Sequence, residues 1–576
     1  MPRAHAFPAS SPATCTLALV ATLALVATLA PASPAAGQDA SILARTDSIF
    51  ARMDTPTTPG CALSVMQQGA LAYERGYGMA NLEYGIPITP QSVFHVASVS
   101  KHFTAMAIEL LVNEGKVSWD DDIRTYVPEV PDFGEPITLR HLVHHVSGIR
   151  DQWNLLSMAG WRWEADVVTQ KDVLEITSRQ TKLNFSPGER YLYSNTGYTL
   201  LAVVVERVGG KSLREFAEER IFAPLGMTQT HFHDDHERIV RNRAYAYAPD
   251  DDGLYGLKQS IPDFDVVGAT SLFTTVRDLA AWDRNFYTGR VGGRDALTRM
   301  HERFVLTGGD TIDYAHGLST GERRGLRTVG HGGADAGYRS QFLRFPDQEW
   351  SVAVLCNFPA SNPGALANRV ADVWLEDAYT EPATVASTNN TAEHDRWVAL
   401  PRSTLTALAG LYRIEDGLEV RRIELRNDTL VAAVGPGFPL RPLGDDRFEV
   451  VGVGAIVELT PPRDGRPAML AMQDGGARVV HWQVPEWKPS ADDLAAFAGR
   501  YYSEELGTEY RFEVVDGRLG FRHRKLPDGV LEPTFENAFT LRGRTLVFER
   551  GSDGRVAGFR MSDGRVYDVA FARVER

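Results

Sequence analysis

The chain has 576 residues, with 60 lysines and arginines against 74 aspartates and glutamates, a formal net charge of −14 and 43% hydrophobic residues. This composition excludes a wholly disordered or collagen-like chain, and the acidic balance argues against a nucleic-acid-binding protein, which needs a basic surface. One hydrophobic core rarely extends over so many residues, so the length predicts two or three domains.

Residues 1–37 have the pattern of a secretory signal. Arg3 is their one charged residue, the hexapeptide Leu-Ala-Leu-Val-Ala-Thr follows twice in residues 17–28, and small residues lead to Gly37. This order predicts a periplasmic or secreted protein whose signal peptide is removed. The uncharged stretch 13–30 makes an uncleaved N-terminal anchor the alternative. The mature chain is expected to have no stable membrane span.

The first chemically distinctive segment is Ser98-Val-Ser-Lys101. Apolar residues at helical spacing follow it, and Gly115 marks the end of the predicted helix. Ser98 is therefore expected at a helix N-terminus, with Lys101 one turn further along on the same side. A desolvated lysine can be neutral enough to accept the proton of a nucleophilic serine. The Ser-x-x-Lys pattern is common by chance, so it needs partners before it indicates catalysis.

Two later segments supply such partners. Tyr193 and Asn195 lie two residues apart on a turn-rich approach to a predicted helix, so both can face one cleft. A simple helix cap at Asn195 and a packing role for Tyr193 are the alternatives. His331-Gly-Gly333 precedes a predicted strand pair within residues 338–357, and its two glycines allow the backbone to approach a substrate closely.

A competing signal is His231-Phe-His233-Asp-Asp235-His236, which spells the His-x-His-x-Asp-His motif of metallo-β-lactamase folds. These side chains could hold zinc and activate water, so a zinc hydrolase is an alternative function. That fold requires a strand before the motif, whereas this motif follows a helix-to-loop stretch, residues 221–228. We therefore expect a solvated polar loop here, no metal site and no cofactor.

The C-terminal part contains a repeat. Leu405–Tyr412 recurs as Leu494–Tyr501, and Asp-Gly turns separate short alternating runs in both copies. The pattern predicts two all-β antiparallel barrels or sandwiches, with a structural or substrate-shaping role because neither copy holds a nucleophile with a base. The predicted organisation is a signal peptide at 1–37, a first globular domain at 38–385, a linker at 386–400, and two repeats at 401–488 and 489–576.

The three motifs Ser98-Val-Ser-Lys101, Tyr193-Ser-Asn195 and His331-Gly-Gly333 stand in the order and spacing of one enzyme family. Residues 38–385 resemble the serine β-lactamase and penicillin-binding protein superfamily, on its class C β-lactamase, D-aminopeptidase and D-alanyl-D-alanine carboxypeptidase side. Residues 140–149 are similar to a further common segment of that family, Leu-Leu-x-His-x-Ser-Gly. The resemblance implies an α+β catalytic domain, with an antiparallel sheet flanked by helices. The two repeats resemble the paired barrels of D-aminopeptidases.

Carried over to the matching positions, the resemblance implies catalytic roles. Ser98 is the acylating nucleophile, and Lys101 and Tyr193 share the general-base and general-acid work. The sequence leaves open which of those two takes the serine proton. The N–H groups of Ser98 and Ala334 are expected to form the oxyanion hole.

Asn195, His331 and Gly333 are the implied substrate-binding residues. Many family members have Lys-Thr-Gly where this chain has His331-Gly-Gly333, so an imidazole that is largely neutral at pH 7 replaces a fixed cation. We therefore predict weak or no β-lactamase activity and hydrolysis of small amides, D-amino-acid peptides or esters through an acyl-enzyme. A small-molecule or peptide substrate is the expected partner. A non-catalytic penicillin-binding-like receptor or wall-binding protein is the alternative.

Two of the three cysteines lie outside the signal-like segment, Cys61 and Cys356. In the resembled fold the first and last strands, which they open and close, are antiparallel neighbours. A disulfide is allowed in an oxidising compartment, but we expect two independent buried thiols. The sequence contains no signal for the oligomeric state.

Overall fold

The structure is a computed structural model that describes residues 34–163, 165–382, 397–415, 417–433, 437–451, 455–474 and 477–574. Most of the predicted signal, residues 1–33, and most of the predicted linker, residues 386–396, lie outside the described residues. Pro34–Phe50 is a helix, which includes the predicted end of the signal at Gly37. Within the described part of the chain, no helix is both long enough and apolar enough to cross a membrane.

A six-stranded antiparallel sheet forms the centre of the first domain. In spatial order its strands are Ser319–Arg323, Leu326–Asp335, Tyr338–Phe345, Trp350–Cys356, Cys61–Gln67 and Ala70–Tyr77. The predicted strand pair is therefore present, joined by a 3-10 turn at Pro346–Gln348. Trp350–Cys356 lies inside the sheet and is buried at every position, because other elements cover both faces.

Helices pack on the two faces of this sheet. Ala353 and Leu355 share a core with the helices Lys101–Asn113 and Asn195–Gly209, whereas Val352, Val354 and Cys356 share another core with Pro363–Trp374. This alternation follows from the two-residue period of a strand. The predicted α+β architecture, an antiparallel sheet flanked by helices, is confirmed.

The remaining elements of the first domain are short or lie around the sheet. Its other α-helices are Leu139–Val143, Gln152–Met158, Gln170–Ser178, Leu213–Ala217, Ala223–Leu225, Val276–Thr288 and Gly293–Arg299, with 3-10 turns at Ala97–Ser100 and Ile123–Thr125 and a π-helical turn at Glu218–Phe222. Its short strands are Met79–Asn81, Ile86–Pro87, Phe94–His95, Val168–Thr169, His231–Phe232, Tyr247–Leu254, Leu257–Gln259, Phe264–Asp265 and Leu272–Thr274.

A disulfide joins Cys61 and Cys356, so the prediction of two independent thiols is wrong. The two residues are directly opposed in the pairing of neighbouring antiparallel strands, as the resemblance implied, and both are buried. Opposed residues on one face of a sheet have closely spaced Cβ atoms, which is the geometry that a disulfide needs. The sequence indicated the proximity but not the oxidation state.

The C-terminal part forms two all-β domains, as predicted. The first is a closed eight-stranded antiparallel barrel and the second is a nine-stranded antiparallel sheet that almost closes. The strands of the first barrel are Gly410–Ile414, Val420–Arg426, Thr429–Ala432, Phe438–Gly444, Arg447–Val450, Ala455–Thr460, Met469–Asp474 and Ala477–Val484. Those of the second are Gly499–Ser503, Thr508–Val515, Arg518–Arg522, Gly529–Val530, Glu532–Pro533, Ala538–Leu541, Arg544–Arg550, Val556–Asp563 and Val566–Val574.

The internal repeat has a structural signature at the start of each barrel. A short helix precedes the first strand in both copies, Arg402–Leu408 and Ala491–Phe497. The Tyr412 hydroxyl donates a hydrogen bond to the Leu408 carbonyl at 2.7 Å, and the Tyr501 hydroxyl donates to the Phe497 carbonyl at 2.8 Å. The repeated tyrosine therefore fixes helix to strand in the same way twice. The domain boundaries given above stay predictions.

The second barrel shares a hydrophobic core with the first domain. Leu155 packs in one cluster with Tyr510, and the Tyr510 hydroxyl donates to the Met158 carbonyl at 2.8 Å. Arg150 and Glu505 form an ion pair at 2.5 Å between side chains that are 0% and 6% exposed. A buried pair of this kind is costly to separate, so this barrel is held firmly against the first domain.

Candidate active site

Ser98 lies in the 3-10 turn Ala97–Ser100, which leads directly into a helix. Ala97 has a φ of +49°, a left-handed conformation that costs a non-glycine residue about 1–2 kcal/mol. The Leu272 backbone N–H donates to the Ser100 hydroxyl at 2.9 Å and holds the turn in place. The surrounding packing thus supports a strained backbone that presents Ser98 to a cleft.

The Lys101 amine is buried among three oxygen atoms. Its Nζ donates to Ser98 Oγ at 3.1 Å, to Asn195 Oδ1 at 2.9 Å and to the Ala269 carbonyl at 2.7 Å. Burial lowers the pKa of Lys101 to about 7, against the opposing effect of nearby carboxylates. A substantial fraction of neutral amine is therefore present beside Ser98 at neutral pH.

The Tyr193 side chain closes one side of this cluster. Its ring centroid lies 4.8 Å from Lys101 Nζ and 4.1 Å from the His145 ring centroid. Burial raises the pKa of Tyr193 well above its usual value, although the nearby Ser98 hydroxyl acts in the opposite direction. The buried hydroxyl has no hydrogen-bond partner of ordinary geometry among the described residues. Tyr193 is therefore a protonated phenol that a bound substrate can engage.

Asn195 is held by Asp151, a residue that the sequence analysis did not single out. The Asn195 backbone N–H and Nδ2 both donate to Asp151 Oδ2, at 2.7 and 2.8 Å. Asp151 Oδ1 accepts from the Trp153 backbone N–H at 2.9 Å and so begins the helix Gln152–Met158. Asn195 is the first residue of its own helix and makes no side-chain cap, so the capping alternative is wrong. The amide is instead oriented with its oxygen toward Lys101.

His331 lies on the strand Leu326–Asp335, with 7% of its surface exposed. Nε2 accepts from the Tyr314 hydroxyl at 2.9 Å, and Nδ1–H donates to the Gly332 carbonyl at 2.5 Å. Burial lowers the pKa of His331 to about 3, and the charge of Lys101 acts in the same direction. The imidazole is therefore neutral at pH 7 and gives the cleft no fixed cation.

Gly333 allows this strand to pass directly against the turn that carries Ser98. A Cβ at Gly333 would lie 2.2 Å from the Val96 carbonyl oxygen and 2.4 Å from Ser340 Oγ. The Ser340 hydroxyl donates to the same Val96 oxygen at 2.8 Å and joins sheet and turn. Ser98 and Ala334 both line the resulting cleft, as an oxyanion hole built from their N–H groups requires.

The cleft has a volume of about 700 Å³. It brings together all the predicted site residues whose side chains or backbone must meet a substrate: Ser98, Tyr193, Asn195, His331, Gly333 and Ala334. Arg565, from the second barrel, lies on its wall. A second cavity of about 690 Å³ shares Trp153 and Asp335 with it and has further aromatic residues in its lining. Neither Arg565 nor these aromatic residues belong to a motif that could be recognised in the sequence.

A family model for beta-lactamase matches residues 46–373, which is more than half of the chain. The chain belongs to the beta-lactamase family. A D-aminopeptidase of Gluconobacter oxydans is 27% identical over 571 residues, which cover 92% of this chain and 100% of that protein. A penicillin-binding protein of Bacillus subtilis is 27% identical over 428 residues, which cover 71% of this chain and 91% of that protein.

The octameric penicillin-binding protein homologue from Pyrococcus abyssi has the same fold as this beta-lactamase family member. The TM-score is 0.54 at 24% identity, with 78% of this chain and 100% of that chain covered. The family match and the named relatives identify this chain as a serine hydrolase of the superfamily. The predicted resemblance is confirmed.

The zinc alternative is wrong for this family member. Within the described ranges, the one group of three potential ligands whose donor atoms lie within 4.8 Å of one another is Asp235, His236 and Asp265. His231 and His233 do not belong to it, so the four predicted ligands do not converge. The His236 ring bonds Asp265 Oδ1 at 2.9 Å instead.

His145, which lies in the segment 140–149, supports the segment around Tyr193. Its Nδ1 accepts from the Ser194 backbone N–H at 3.1 Å, and its carbonyl accepts from the Leu192 N–H at 3.0 Å. These two bonds lie on either side of Tyr193 and fix its backbone. The sequence feature that could have indicated this supporting role is the similarity of the segment 140–149 to a common segment of the family. This segment contains no predicted catalytic residue.

Proposed function

We propose that this serine hydrolase uses Ser98 as its acylating nucleophile and Lys101 as the base that takes the serine proton. The observation that carries the proposal is the position of Lys101 Nζ, 3.1 Å from Ser98 Oγ in a buried setting that lowers the pKa of the amine to about 7. A neutral amine at this distance can accept the hydroxyl proton as the oxygen attacks.

Acylation begins when Ser98 Oγ bonds to the substrate carbonyl carbon and its proton moves to Lys101 Nζ. The carbonyl electron pair moves to its oxygen, where the N–H groups of Ser98 and Ala334 stabilise it; one such donor contributes about 3–4 kcal/mol. The bond to the leaving nitrogen or oxygen then breaks. The proton passes from Lys101 through the Tyr193 hydroxyl to the leaving group, and water hydrolyses the acyl-enzyme and restores Ser98.

We propose small amides, D-amino-acid peptides and esters as substrates, with weak or no turnover of β-lactams. The neutral His331 supports this, because it lacks the fixed positive charge that a lysine supplies in many family members. The D-aminopeptidase of Gluconobacter oxydans, which aligns with 92% of this chain, makes D-amino-acid derivatives the first substrates to test. Asn195, with its amide fixed by Asp151, is suited to orient the substrate amide.

We also propose that the protein is periplasmic or secreted. The signal-like residues 1–37 support export. The disulfide between Cys61 and Cys356 supports an oxidising compartment, because such bonds are rare in a reducing cytosol.

The test of the proposed function is a substrate panel: p-nitrophenyl acetate, D-alanine p-nitroanilide, its L enantiomer and a chromogenic cephalosporin. We expect the ester and the D-anilide to be hydrolysed faster than the cephalosporin, and Ser98→Ala to lose all turnover. Ser118→Ala, at an exposed serine outside the cleft, is the matched control and should behave as wild type. Faster turnover of the cephalosporin than of the ester and the D-anilide would overturn the substrate proposal.

A further inference from the structure

The second barrel contributes a β-hairpin to the active-site cleft. The hairpin consists of the strands Val556–Asp563 and Val566–Val574, and its turn is formed by Gly564 and Arg565. Arg565 lines the same cleft as Ser98 although 467 positions separate them in the sequence. The cleft wall is therefore built from two domains.

The catalytic domain fixes this turn through its backbone. The Arg565 carbonyl accepts from Asn184 Nδ2 at 2.9 Å and from the Asp151 backbone N–H at 3.3 Å. Asn154 Nδ2 donates to the Asp563 carbonyl at 3.1 Å. Because these bonds involve backbone atoms of the turn, the Arg565 side chain is not needed to hold the hairpin in place.

The Arg565 guanidinium lies 4.7 Å from the centroid of the Tyr193 ring. Its side chain is exposed, and none of the carboxylates in the described part of the chain forms an ion pair with it. The other arginine of the cleft, Arg339, donates to the carbonyls of Ala336 and Tyr338. Arg565 is thus a positioned cation beside the catalytic cluster whose donors remain available to a ligand.

We propose that Arg565 binds a carboxylate of the substrate and is a specificity-determining residue of this hydrolase. An arginine presents a planar set of donors that matches a carboxylate in two parallel hydrogen bonds. This contact comes from the second barrel and not from the sheet position of the neutral His331, where many family members have a lysine. The inference rests on the proposed function, because the carboxylate belongs to the molecule that acylates Ser98.

The test uses two pairs of aryl esters in which a carboxylate is replaced by a carboxamide. The first pair, 4-carboxyphenyl acetate and 4-carbamoylphenyl acetate, varies the leaving group. The second pair, 4-nitrophenyl hydrogen adipate and the corresponding adipamate, varies the acyl group. Within each pair the ratio of kcat/KM values is compared between wild type and variant, so that a general loss of activity and the intrinsic reactivity of each ester both cancel.

In Arg565→Gln we expect the carboxylate-to-carboxamide ratio to fall about tenfold or more in at least one pair, since charge-assisted contacts are the strong ones. Arg565→Lys should keep part of the ratio, because the charge remains but the two parallel bonds do not form. Arg555→Gln, at an arginine of the same barrel with an 89% exposed side chain, should leave the ratio unchanged. An unchanged ratio in both pairs for Arg565→Gln would overturn the proposal.

A failure of the proposed function has a different result: wild type would hydrolyse none of the four esters. In that case calorimetric titration with N-acetyl-D-alanine and with N-acetyl-D-alanine amide decides the question for Arg565 alone. Tighter binding of the carboxylate by wild type than by Arg565→Gln supports the carboxylate site. Equal binding by the two proteins excludes it.

Discussion

The Asp151 carboxylate accepts two hydrogen bonds from Asn195, one from the backbone N–H at 2.7 Å and one from Nδ2 at 2.8 Å. The same residue donates its backbone N–H to the Arg565 carbonyl at 3.3 Å. Because Asn195 Oδ1 accepts from Lys101 Nζ at 2.9 Å, a continuous set of hydrogen-bonded residues leads from the second barrel to Lys101, the proposed base.

Asp151→Asn should reduce kcat without abolishing substrate binding. Asp151 Oδ1 accepts from the Trp153 backbone N–H, and Oδ2 accepts from the Asn195 backbone N–H. An asparagine side chain has one oxygen and one NH2 group, so it can accept from only one of these two donors. The misplaced Asn195 amide should cost about tenfold or more in kcat and the unmet donors about 1–3 kcal/mol of stability. Steady-state kinetics and thermal unfolding measure the two effects.

Asp122→Asn is the control for that experiment. Asp122 also begins a helical turn, by accepting from the Arg124 backbone N–H at 2.9 Å, but it does not line the cleft. The Asp122→Asn variant should be less stable than wild type and should have the same kcat. An equal loss of kcat in the two variants would contradict a specific positioning role for Asp151.

The pKa of Lys101 predicts a pH dependence of activity. Burial lowers this pKa to about 7, and in the proposed mechanism the neutral amine accepts the Ser98 proton. The value of kcat/KM for a neutral ester should therefore fall with a slope of one as the pH decreases below about 7. A profile that stays flat down to pH 5 would exclude Lys101 as the base.

The same pKa predicts a pH dependence of stability. Between pH 7 and the ordinary lysine pKa of 10.5, the unfolded chain binds a proton at Lys101 that the folded chain does not, so this group makes the free energy of unfolding rise with pH. Lys101→Met removes the effect. The difference in Tm, variant minus wild type, should be largest at pH 7 or below and should decrease toward pH 10. A difference that does not change with pH would contradict the lowered pKa.

Gly333→Ala and Gly332→Ala form a matched pair. A Cβ at Gly333 would meet the Val96 carbonyl oxygen at 2.2 Å, whereas a Cβ at Gly332 meets the flexible end of Gln341 at 3.1 Å. We expect Gly333→Ala to displace the turn that carries Ser98, with about 1–3 kcal/mol lost in stability and most of the activity lost. Gly332→Ala should show much smaller losses. Similar activity in the two variants would show that the close approach is not required.

The disulfide should contribute measurably to stability. It links residues 295 positions apart, and long closed loops restrict the unfolded chain most, with typical effects of about 2–5 kcal/mol. A reductant should lower the Tm of wild type and leave that of Cys61→Ala/Cys356→Ala unchanged. Thiol titration of the unfolded mature protein should find two more thiols after reduction than before. Equal numbers would contradict the bond.

Much of the site could be predicted from the sequence because its chemistry lies in short local motifs. Ser98 with Lys101, and Tyr193 with Asn195, are close in the chain, and local helix signals indicate which side chains point together. Asp151 and Arg565 could not be predicted in the same way. Their roles depend on contacts between segments that are distant in the chain, and a capping aspartate or a turn arginine is an ordinary surface residue in a sequence.

The fold shows a similar division. The hydrophobic pattern and the Asp-Gly turns predicted the strand pair at 338–357 and two antiparallel barrels, because both are local properties. The shared core between Leu155 and Tyr510 could not be predicted, since apolar positions do not reveal which domain covers them. The bond between Cys61 and Cys356 was missed for a related reason: strand neighbours bring two cysteines together, but the oxidation state does not follow from the pattern.

The most direct test of the central claim, that Ser98 is a nucleophile activated by Lys101, is the rate and position of covalent labelling by a fluorophosphonate, measured by intact-protein and peptide mass spectrometry. Wild type should gain one label, on Ser98, and Lys101→Met should label far more slowly. Ser98→Ala should gain none. Labelling of Ser98→Ala at the rate of wild type, or no labelling of wild type together with no ester turnover, would contradict the account and favour a non-catalytic receptor.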